Sequence, residues 1–168
     1  MEIVLLGLGA NMNEPLHAIR RAVDKIGKIE DTTLLETSSI YNTTPVSSIA
    51  QDNYLNAACK IQTKLSPLLL LEKLQEIETE IGKVPKQKDA PRIIDIDILF
   101  FGTKKIDLTE ITIPHKEAFN RLFVLTPLAD IIDTLQLPEG SSVSIKELIK
   151  NFSNPHNETV TLYKEVLL

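Results

Sequence analysis

The chain has 168 residues, of which 43% are hydrophobic and 24% charged, ordinary values for a globular protein that predict one domain over residues 1–168. The net charge of −5 argues against non-specific binding to nucleic acid. The sequence has neither an apolar run long enough to cross a bilayer nor the basic start of a signal peptide, so we expect a cytoplasmic monomer with no nucleic-acid or membrane partner.

The hydrophobic pattern predicts strands and helices in a βαββαβ order, with further elements at the C-terminal end. In chain order these are a strand at 2–8, a helix at about 14–27, strands at 33–41 and 54–63, a helix at about 67–81, a strand within the stretch APRIIDIDILFFG (90–102), a hairpin partner at KKIDL, and helices near 117–129 and 143–151. This order is that of the ferredoxin-like, split βαβ fold. We expect an α+β protein in which two helices cover one face of a mostly antiparallel sheet, leaving the other face, or its loops, for a ligand.

Several local signals predict where these elements end. Asn13 is a candidate N-cap for the first helix, and Ser66 followed by Pro67 is a typical start for the second. Gly82 is expected to end that second helix. The glycines of GLGAN at 7–11 form only part of a dinucleotide fingerprint, so we interpret them as a turn after the first strand.

The strand in APRIIDIDILFFG contains two aspartates within an apolar run. Side chains alternate along a strand at about 3.3 Å per residue, so Asp95 and Asp97 share one face about 6–7 Å apart, while Ile94, Ile96 and Ile98 fill the other. Two bare carboxylates would repel, so a divalent cation, a Lys or Arg partner, or bulk water must separate them. The pair alone leaves both an ion-pair network and an Mg²⁺ site open, because Mg²⁺ prefers such oxygen ligands and completes its shell with water and phosphate.

Cationic residues flank this strand. Arg92 precedes it, and His115 and Arg121 follow after a short hairpin. With the two carboxylates they would form a phosphoryl clamp, in which cations neutralise charge on phosphate oxygens. A buried histidine bonded to backbone explains His115 equally well. The sequence has no GxxxxGK[ST] motif, so a nucleotide would not be held by a P-loop.

Polar and aromatic side chains near the middle of the chain suggest a pocket for a heterocycle. Asn56 falls in an apolar strand, and either a core hydrogen-bond network or the edge of a ring would satisfy its amide. Tyr54 and Phe123 are either core aromatics or stacking partners for such a ring. Cys59, the single cysteine, lies in an apolar alternation, which indicates a buried structural thiol.

Six stretches taken together resemble one family, the 6-hydroxymethyl-7,8-dihydropterin pyrophosphokinases of folate biosynthesis. They are LGLGAN, SSIYNTTPV, QDNYLNA, LLEKLQEIETEIGK, APRIIDIDILFFG and IPHKEAFNRLFVLTPLADI. The resemblance covers about residues 2–132, and the combination of PRIIDIDIL with IPH and NRLFVL is highly specific.

The resemblance implies a ferredoxin-like α+β fold and transfer of pyrophosphate from ATP to the hydroxymethyl oxygen of the pterin, with release of AMP. It assigns Asp95 and Asp97 as ligands of two Mg²⁺ ions that bridge the ATP phosphates. The implied catalytic set is Arg92, Asp95, Asp97, His115 and Arg121. The implied ATP contacts are Gln75, Glu78, Lys83, Arg92, Ile98, Thr112, His115 and Arg121. The implied pterin pocket is Thr43, Val46, Tyr54, Asn56 and Phe123, with Asn56 reading the ring edge.

The sequence departs from the family pattern in two places. The tripeptide GAN at 9–11 stands where Gly-Ser-Asn is usual, a mild change. In the loop after the second helix, Lys83 holds the position of a first arginine, Pro85 that of a second, and Asp89 about that of a tryptophan. We expect this loop, residues 83–91, to be exposed and mobile in the free protein and to close over ATP less completely than in the family.

Three hypotheses stand on the sequence, and the leading one is the pyrophosphokinase. A metal-dependent phosphohydrolase or nucleotidyl-transferring enzyme would use the same carboxylates, but the pocket residues Tyr54, Asn56 and Phe123 argue against it. A non-catalytic ferredoxin-like binding domain would need neither Mg²⁺ nor Arg92.

Overall fold

The computed structural model describes residues 1–84 and 90–164. The strands are β1 (Glu2–Ala10), β2 (Thr32–Thr37), β3 (Ile40–Thr43), β4 (Tyr54–Thr63), β5 (Asp95–Phe101), β6 (Ile106–Asp107), β7 (Thr112–Ile113), β8 (Thr134–Gln136), β9 (Ser142–Ser144) and β10 (Val160–Lys164). The helices are α1 (Pro15–Ile26), α2 (Pro67–Ile81), α3 (Leu122–Ile131) and α4 (Ile145–Lys150). In the part of the chain that is described, none of these helices combines the length and apolar character needed to cross a membrane.

The main sheet is antiparallel and has the strand order β10-β3-β4-β1-β5, with β2 also pairing with β4. The strand β5 therefore lies at one edge, beside β1. Two small hairpins, β6-β7 and β8-β9, stand apart from this sheet. The predicted α+β class, with a mostly antiparallel sheet and helices packed on it, is confirmed.

One face of the sheet is covered by α1 and α2. The helices contribute apolar residues at spacings of three and four, including Ile19, Val23, Leu70 and Leu74, which are fully buried against the sheet. Ser66 caps α2 as predicted, because its Oγ accepts the backbone N–H of Leu69 at 3.3 Å. Gly82 ends the helix at φ 121°, also as predicted. The same core receives Ile96 and Ile98 from β5, and Ile94 from the position directly before that strand.

The opposite face is covered only in part. A second buried cluster joins Leu5, Ala58 and Leu99 of the sheet to Leu128 of α3 and Ile145 of α4. Towards β10, α3 is tied to β3, because the Tyr41 hydroxyl donates to Asp130 at 2.9 Å. Among the described residues, no helix covers the remaining part of this face. The expectation that a ligand uses it stays a prediction.

Several predicted boundaries are wrong. Gly7 and Gly9 are not a turn, because β1 continues through both to Ala10. Asn13 does not cap α1: Glu14 occupies the N-cap position with φ 61°, and its side chain makes no capping bond. The predicted strand at 33–41 is divided into β2 and β3, and α3 begins at Leu122 instead of near 117.

The C-terminal segment forms a strand that the sequence pattern did not predict. Here β10 extends the sheet by pairing with β3, and Val160 lies opposite Thr43. This pairing brings a late part of the chain next to residues of the predicted pterin pocket.

Candidate active site

A cleft of about 160 Å³ opens on the sheet face that carries the two aspartates. It is lined by residues of β1, β4 and β5, by the segment that follows β3, and by the start of α3. The predicted site residues that line it are Thr43, Val46, Tyr54, Asn56, Arg92, Asp95, Asp97, Arg121 and Phe123. The fold therefore brings all five predicted pterin residues and four of the five predicted catalytic residues to one cavity.

The register of the sheet sets the plan of the cleft floor. Asn56 pairs with Gly9 and Gly9 pairs with Asp95, so these three residues form one row across β4, β1 and β5. The neighbouring row is Ala58, Gly7 and Asp97. Since strands lie about 4.8 Å apart, each row spans roughly 10 Å from its residue in β4 to its aspartate. A glycine at the centre of each row leaves the floor open between the two ends.

Asp95 is held by two cationic side chains. Lys83 Nζ lies 2.7 Å from Asp95 Oδ1 and 2.8 Å from Glu78 Oε2, and Arg92 Nε lies 3.6 Å from Asp95 Oδ2. A Lys or Arg partner, one of the three explanations considered for the aspartate pair, is therefore present at Asp95. Burial acts to lower the pKa of Lys83, but its bonds to Asp95 and Glu78 outweigh this, and the net shift is upward.

Glu78 links α2 to the edge strand. The side chain is only 5% exposed, and its Oε1 accepts the backbone N–H of Ile96 at 2.6 Å. Removal from water raises the pKa of Glu78, against the opposing effect of its bonds to Lys83 and Ile96. Because both carboxylate oxygens are occupied, Glu78 serves here to hold β5 and Lys83.

Asp97 has a different environment from Asp95. Its side chain is exposed to the cleft, and within the described residues it forms no ion pair. The surrounding protein nevertheless removes enough water to raise the pKa of Asp97, and the charge of Asp95 adds to this effect. Electrostatic interactions with His115, Lys83 and Arg121 act in the opposite direction. Asp97 is thus a carboxylate on which several cations converge without neutralising it by direct contact.

Arg92 is fixed through its backbone by Asn11. The N–H of Arg92 donates to Asn11 Oδ1 at 2.8 Å, and the N–H of Asn11 donates to the Arg92 carbonyl at 2.9 Å. The buried amide of Asn11 also donates to Gln51 Oε1 and to the Asp52 carbonyl. Asn11 therefore sets Arg92 and the loop before β4 relative to each other. The sequence pattern did not identify this role, although an asparagine directly after a glycine-containing strand is the available signal.

His115 and Arg121 approach Asp97 from the segment between β7 and α3. The Nδ1 atom of His115 accepts the backbone N–H of Glu117 at 3.2 Å, so the neutral ring carries its proton on Nε2. His115 does not itself line the cleft. Arg121 does, and its Cζ lies 5.5 Å from the centre of the Phe123 ring, within the range of a cation–π contact.

Asn56 is oriented by Thr43 in the part of the cleft predicted to hold the pterin. Its Nδ2 donates to Thr43 Oγ1 at 2.7 Å, and both residues are buried. A Cβ added at Gly9 would lie 2.8 Å from Asn56 Oδ1, so only glycine leaves the amide in this position. Nearby, the Tyr54 hydroxyl donates to Gln51 Oε1 at 3.0 Å. Of the two explanations for Asn56, the structure shows a hydrogen-bond network, and this network faces the cavity.

The other predicted ATP contacts lie outside the cleft lining. Gln75 is exposed on α2, and Thr112 lies on β7. The Ile98 side chain is 4% exposed in the opposite core, so only its backbone could contact a ligand. These contacts stay predictions.

The loop that departs from the family pattern is described only at its ends. Pro85 and Asp89 fall within residues 85–89, which lie outside the described residues. Lys83 does not fit the expectation of an exposed loop, since its side chain is 29% exposed and held by two carboxylates.

The donor set of the cleft suits a metal only in combination with a ligand. Among the described residues, no group of three or more His, Cys, Asp or Glu side chains is arranged to hold a metal ion. Two carboxylates that share a face are, however, what Mg²⁺ uses when substrate phosphates complete its shell. Cys59 takes no part in the site: it is buried, and burial raises the pKa of its thiol to about 12, as expected for a structural residue.

Comparison with known proteins identifies the family. The family model described as 7,8-dihydro-6-hydroxymethylpterin-pyrophosphokinase (HPPK) matches residues 5–133. This chain belongs to the HPPK family. The predicted family and the predicted function, pyrophosphate transfer to the hydroxymethylpterin in folate biosynthesis, are confirmed by that membership.

Two relatives and one solved structure illustrate the similarity. The chain is 41% identical over 149 residues to the 2-amino-4-hydroxy-6-hydroxymethyldihydropteridine pyrophosphokinase of Haemophilus influenzae, with 89% of this chain and 92% of the relative covered. The enzyme of the same name from Pseudomonas aeruginosa is 39% identical to this chain over 137 residues, with 82% of this chain and 85% of the relative covered. A crystal structure of Plasmodium falciparum HPPK-DHPS has a TM-score of 0.65 at 17% identity, covering 89% of this chain and 43% of that one. This last similarity shows the fold, and the chain spans less than half the length of that larger protein.

Proposed function

We propose that the cleft binds ATP and 6-hydroxymethyl-7,8-dihydropterin side by side and transfers pyrophosphate between them with Mg²⁺ held at Asp95 and Asp97. The supporting observation is the row of residues across the floor, in which Asn56 and Asp95 stand at opposite ends with Gly9 between them. One end has the donor and acceptor groups that recognise a heterocycle, and the other has the charges that bind a polyphosphate. The two substrates would meet above the glycines.

The polyphosphate would lie over β5 and contact Arg92, Arg121 and His115. Arg92 and Arg121 both line the cleft and are suited to phosphate oxygens, since guanidinium groups form paired hydrogen bonds with them. The Nε2 proton of His115 is available for a phosphate oxygen because its Nδ1 is already used by Glu117. Lys83 already bridges Asp95 and Glu78 and would add a further positive charge at this end.

Mg²⁺ fits the residues present at this end of the cleft. The exposed carboxylate of Asp97 and the ion-paired carboxylate of Asp95 supply hard oxygen ligands from one strand face. Bound there with the substrate, Mg²⁺ would offset the negative charge of the transferring phosphates. Because Lys83 Nζ contacts Asp95 Oδ1, coordination of Mg²⁺ through that oxygen would require this ion pair to rearrange.

The pterin ring would lie between Tyr54 and Phe123 with its edge on Asn56. Both aromatic residues line the cleft, and the Asn56 amide is held by Thr43 with its oxygen unpaired within the described residues. An amide fixed in this way discriminates between rings by the donors and acceptors on their edge, because a mismatched ring would leave buried polar groups unpaired.

The reaction needs positioning and charge stabilisation. The hydroxymethyl oxygen forms a bond to the β-phosphorus of ATP and loses its proton to solvent, and the bond from that phosphorus to the α-phosphate oxygen breaks to release AMP. Asn56 and the aromatic pair hold the hydroxymethyl group, while Arg92, Arg121 and His115 hold the phosphates and bind the developing charge. No covalent nucleophile is required, in agreement with the buried state of Cys59.

An assay of AMP formation tests the proposal against its competitors. With ATP, the hydroxymethyldihydropterin and Mg²⁺ all present, we expect AMP and the pterin pyrophosphate in equal amounts, and neither product when any one component is omitted. Release of nucleotide products without the pterin would indicate a phosphohydrolase. Calorimetric binding of pterin and a non-hydrolysable ATP analogue without turnover of ATP would indicate a binding domain.

A further inference from the structure

The C-terminal segment at residues 154–164 is fixed to one wall of the cleft. It lies beyond residues 5–133, the range matched by the family model. Next to the pairing of β10 with β3, the N–H of Thr44 donates to the Thr159 carbonyl at 3.1 Å, and the N–H of Thr159 donates to Thr44 Oγ1 at 2.9 Å. Thr43 and Thr44 both line the cleft. A segment remote in sequence therefore supports the wall that carries the partner of Asn56.

The same segment also holds the start of α3. Glu158 Oε2 accepts the backbone N–H of Leu122 at 2.9 Å and that of Phe123 at 3.3 Å. The first N–H groups of a helix have no partner inside it, and the N-cap residue Arg121 makes no side-chain capping bond. Glu158 therefore supplies from a distance the cap that α3 lacks locally. Arg121 and Phe123, the residues at this capped end, both line the cleft.

Burial of the Glu158 carboxylate costs folding free energy. The residue is 4% exposed, and its Oε1 is buried with no hydrogen-bond partner in the described part of the chain. A serine at position 121 would cap α3 without burying a carboxylate, but it would remove the arginine from the cleft. The turn before Glu158 fixes the residue further, because Asn154 bonds both to its N–H at 2.6 Å and to its carbonyl at 3.0 Å.

We propose that Glu158 is a positioning residue for the pyrophosphate transfer. By joining the N-terminus of α3 to the segment beside β3, it sets the distance between the wall that carries Thr43 and the wall that carries Arg121 and Phe123. Because the Arg121 guanidinium lies over the Phe123 ring, a shift of this helix end displaces a phosphate contact and a stacking surface together. This inference rests on the proposed function of the cleft.

The first test compares Glu158→Ala with Glu158→Gln. The alanine variant should lower kcat/KM by about 10- to 100-fold, since misplacement of a phosphate contact by about 1 Å has effects of that size. The glutamine variant keeps an acceptor oxygen for the two N–H groups and should recover most of the loss. The control is Ser144→Ala, which removes the cap of α4, where Ser144 Oγ accepts the N–H of Glu147 at 3.4 Å. It should lower the melting temperature and leave kcat and KM unchanged.

A double-mutant cycle shows whether Glu158 acts through Arg121. In an Arg121→Ala background, adding Glu158→Ala should reduce kcat much less than it does in the wild type, because the phosphate contact, one of the two side chains that Glu158 positions, is already absent. If Glu158→Ala lowers kcat by the same factor in the wild type and in the Arg121→Ala variant, the proposal is overturned. So would Glu158→Ala kinetics that match those of the Ser144→Ala control.

A binding measurement separates this inference from the proposed function. If wild-type protein binds the pterin and forms no AMP, the proposed reaction fails while the positioning role stays testable. Glu158→Ala should then weaken pterin binding by about two- to tenfold, the worth of one aromatic contact. Unchanged affinity in folded protein would overturn the positioning role, whatever the wild-type activity.

Discussion

The two faces of β5 are built from alternate residues of one strand and have opposite surroundings. Ile96 and Ile98 are each 4% exposed and pack in the core beneath α1 and α2. Asp95 and Asp97 face the cleft, where one is ion-paired and the other is open to solvent. Because both sets share a backbone, burial of the isoleucines fixes where the carboxylates stand.

This comparison separates the residues that determine stability from those that determine activity. A substitution on the isoleucine face should reduce the free energy of unfolding with little direct effect on the reaction. A substitution on the aspartate face should impair the reaction and have little effect on the free energy of unfolding.

Asp97→Ala should abolish AMP formation without lowering the melting temperature. The change removes a proposed Mg²⁺ ligand, and it also relieves the repulsion between Asp97 and Asp95. Steady-state assays with ATP, pterin and Mg²⁺ measure the loss, and Asp133→Asn, an exposed aspartate outside the cleft lining, is the matched control. Turnover above about one tenth of wild type, a barrier change under roughly 1.4 kcal/mol, would refute the metal assignment.

Ile98→Ala should lower the free energy of unfolding by about 2–5 kcal/mol, since it empties a buried site in the core. Chemical denaturation measures this effect. At a temperature where the variant is folded, its KM for ATP should stay close to wild type, because the side chain faces away from the cleft. If the KM for ATP rises by as much as the loss of one hydrogen bond would cause, the Ile98 side chain contacts the nucleotide after all.

Asn56→Leu should weaken pterin binding by about 1–3 kcal/mol and leave binding of an ATP analogue nearly unchanged. Leucine cannot pair with the ring edge, and it also leaves the buried Thr43 hydroxyl without its partner. Isothermal titration of each ligand measures the two affinities. Thr43→Val is the companion variant, since it removes the orienting bond and keeps Asn56, and its effect on pterin should be smaller. Equal losses for both ligands would indicate a general packing role.

The separation of β5 into an apolar face and an acidic face was predictable from the sequence. The alternation in RIIDIDIL places aspartates and isoleucines on opposite faces of one strand, and the structure has them there. The ends of α2 were also predictable, because Ser66 and Gly82 act through bonds within a few residues of the chain. Signals of this kind depend on local geometry alone.

The remaining features depend on contacts between distant segments. Gly9 has the sequence appearance of a turn residue, but its role is to clear space for Asn56 on the adjacent strand. The cap that Glu158 gives to Leu122 spans 36 residues, and neither residue type indicates it. Such roles require the register of the sheet and the course of the tail, which the hydrophobic pattern does not specify.

Gly9→Ala tests the role assigned to that glycine. The new methyl group would lie 2.8 Å from Asn56 Oδ1, closer than a carbon and an oxygen can approach, so the amide must move. We expect a loss of pterin affinity smaller than that of Asn56→Leu, with the melting temperature little changed. Gly7→Ala is the comparison, because its methyl group would meet the Leu99 side chain at 3.3 Å and leave the amide in place. Equal effects of the two variants on pterin affinity would contradict the clearance role.

The smallest expected effect concerns Tyr41, which lies opposite Asn56 in the sheet but beneath α3 instead of in the cleft. Burial raises the pKa of Tyr41 to about 12, and the hydrogen bond to Asp130 and the charge of Asp130 add to the shift. In the unfolded chain the phenol has its ordinary pKa of about 10. The folded state therefore holds this proton more tightly, so the stabilisation from the group is complete below pH 10 and is lost as the pH rises through about 12. The group is partly solvated, so screening keeps the change in stability small.

An ultraviolet titration of tyrosinate should resolve this group in the folded protein. Tyr41→Phe should remove the component with a midpoint of about 12, which assigns it. Asp130→Asn should move that midpoint towards the ordinary value, because it removes both the charge and a strong acceptor next to the hydroxyl. Neither variant should alter AMP formation beyond a small factor, since Tyr41 and Asp130 do not line the cleft. If Asp130→Asn leaves the midpoint in place, the hydrogen bond from the Tyr41 hydroxyl to Asp130 does not form in solution. The attachment of α3 to β3 would then be weaker than the structure shows.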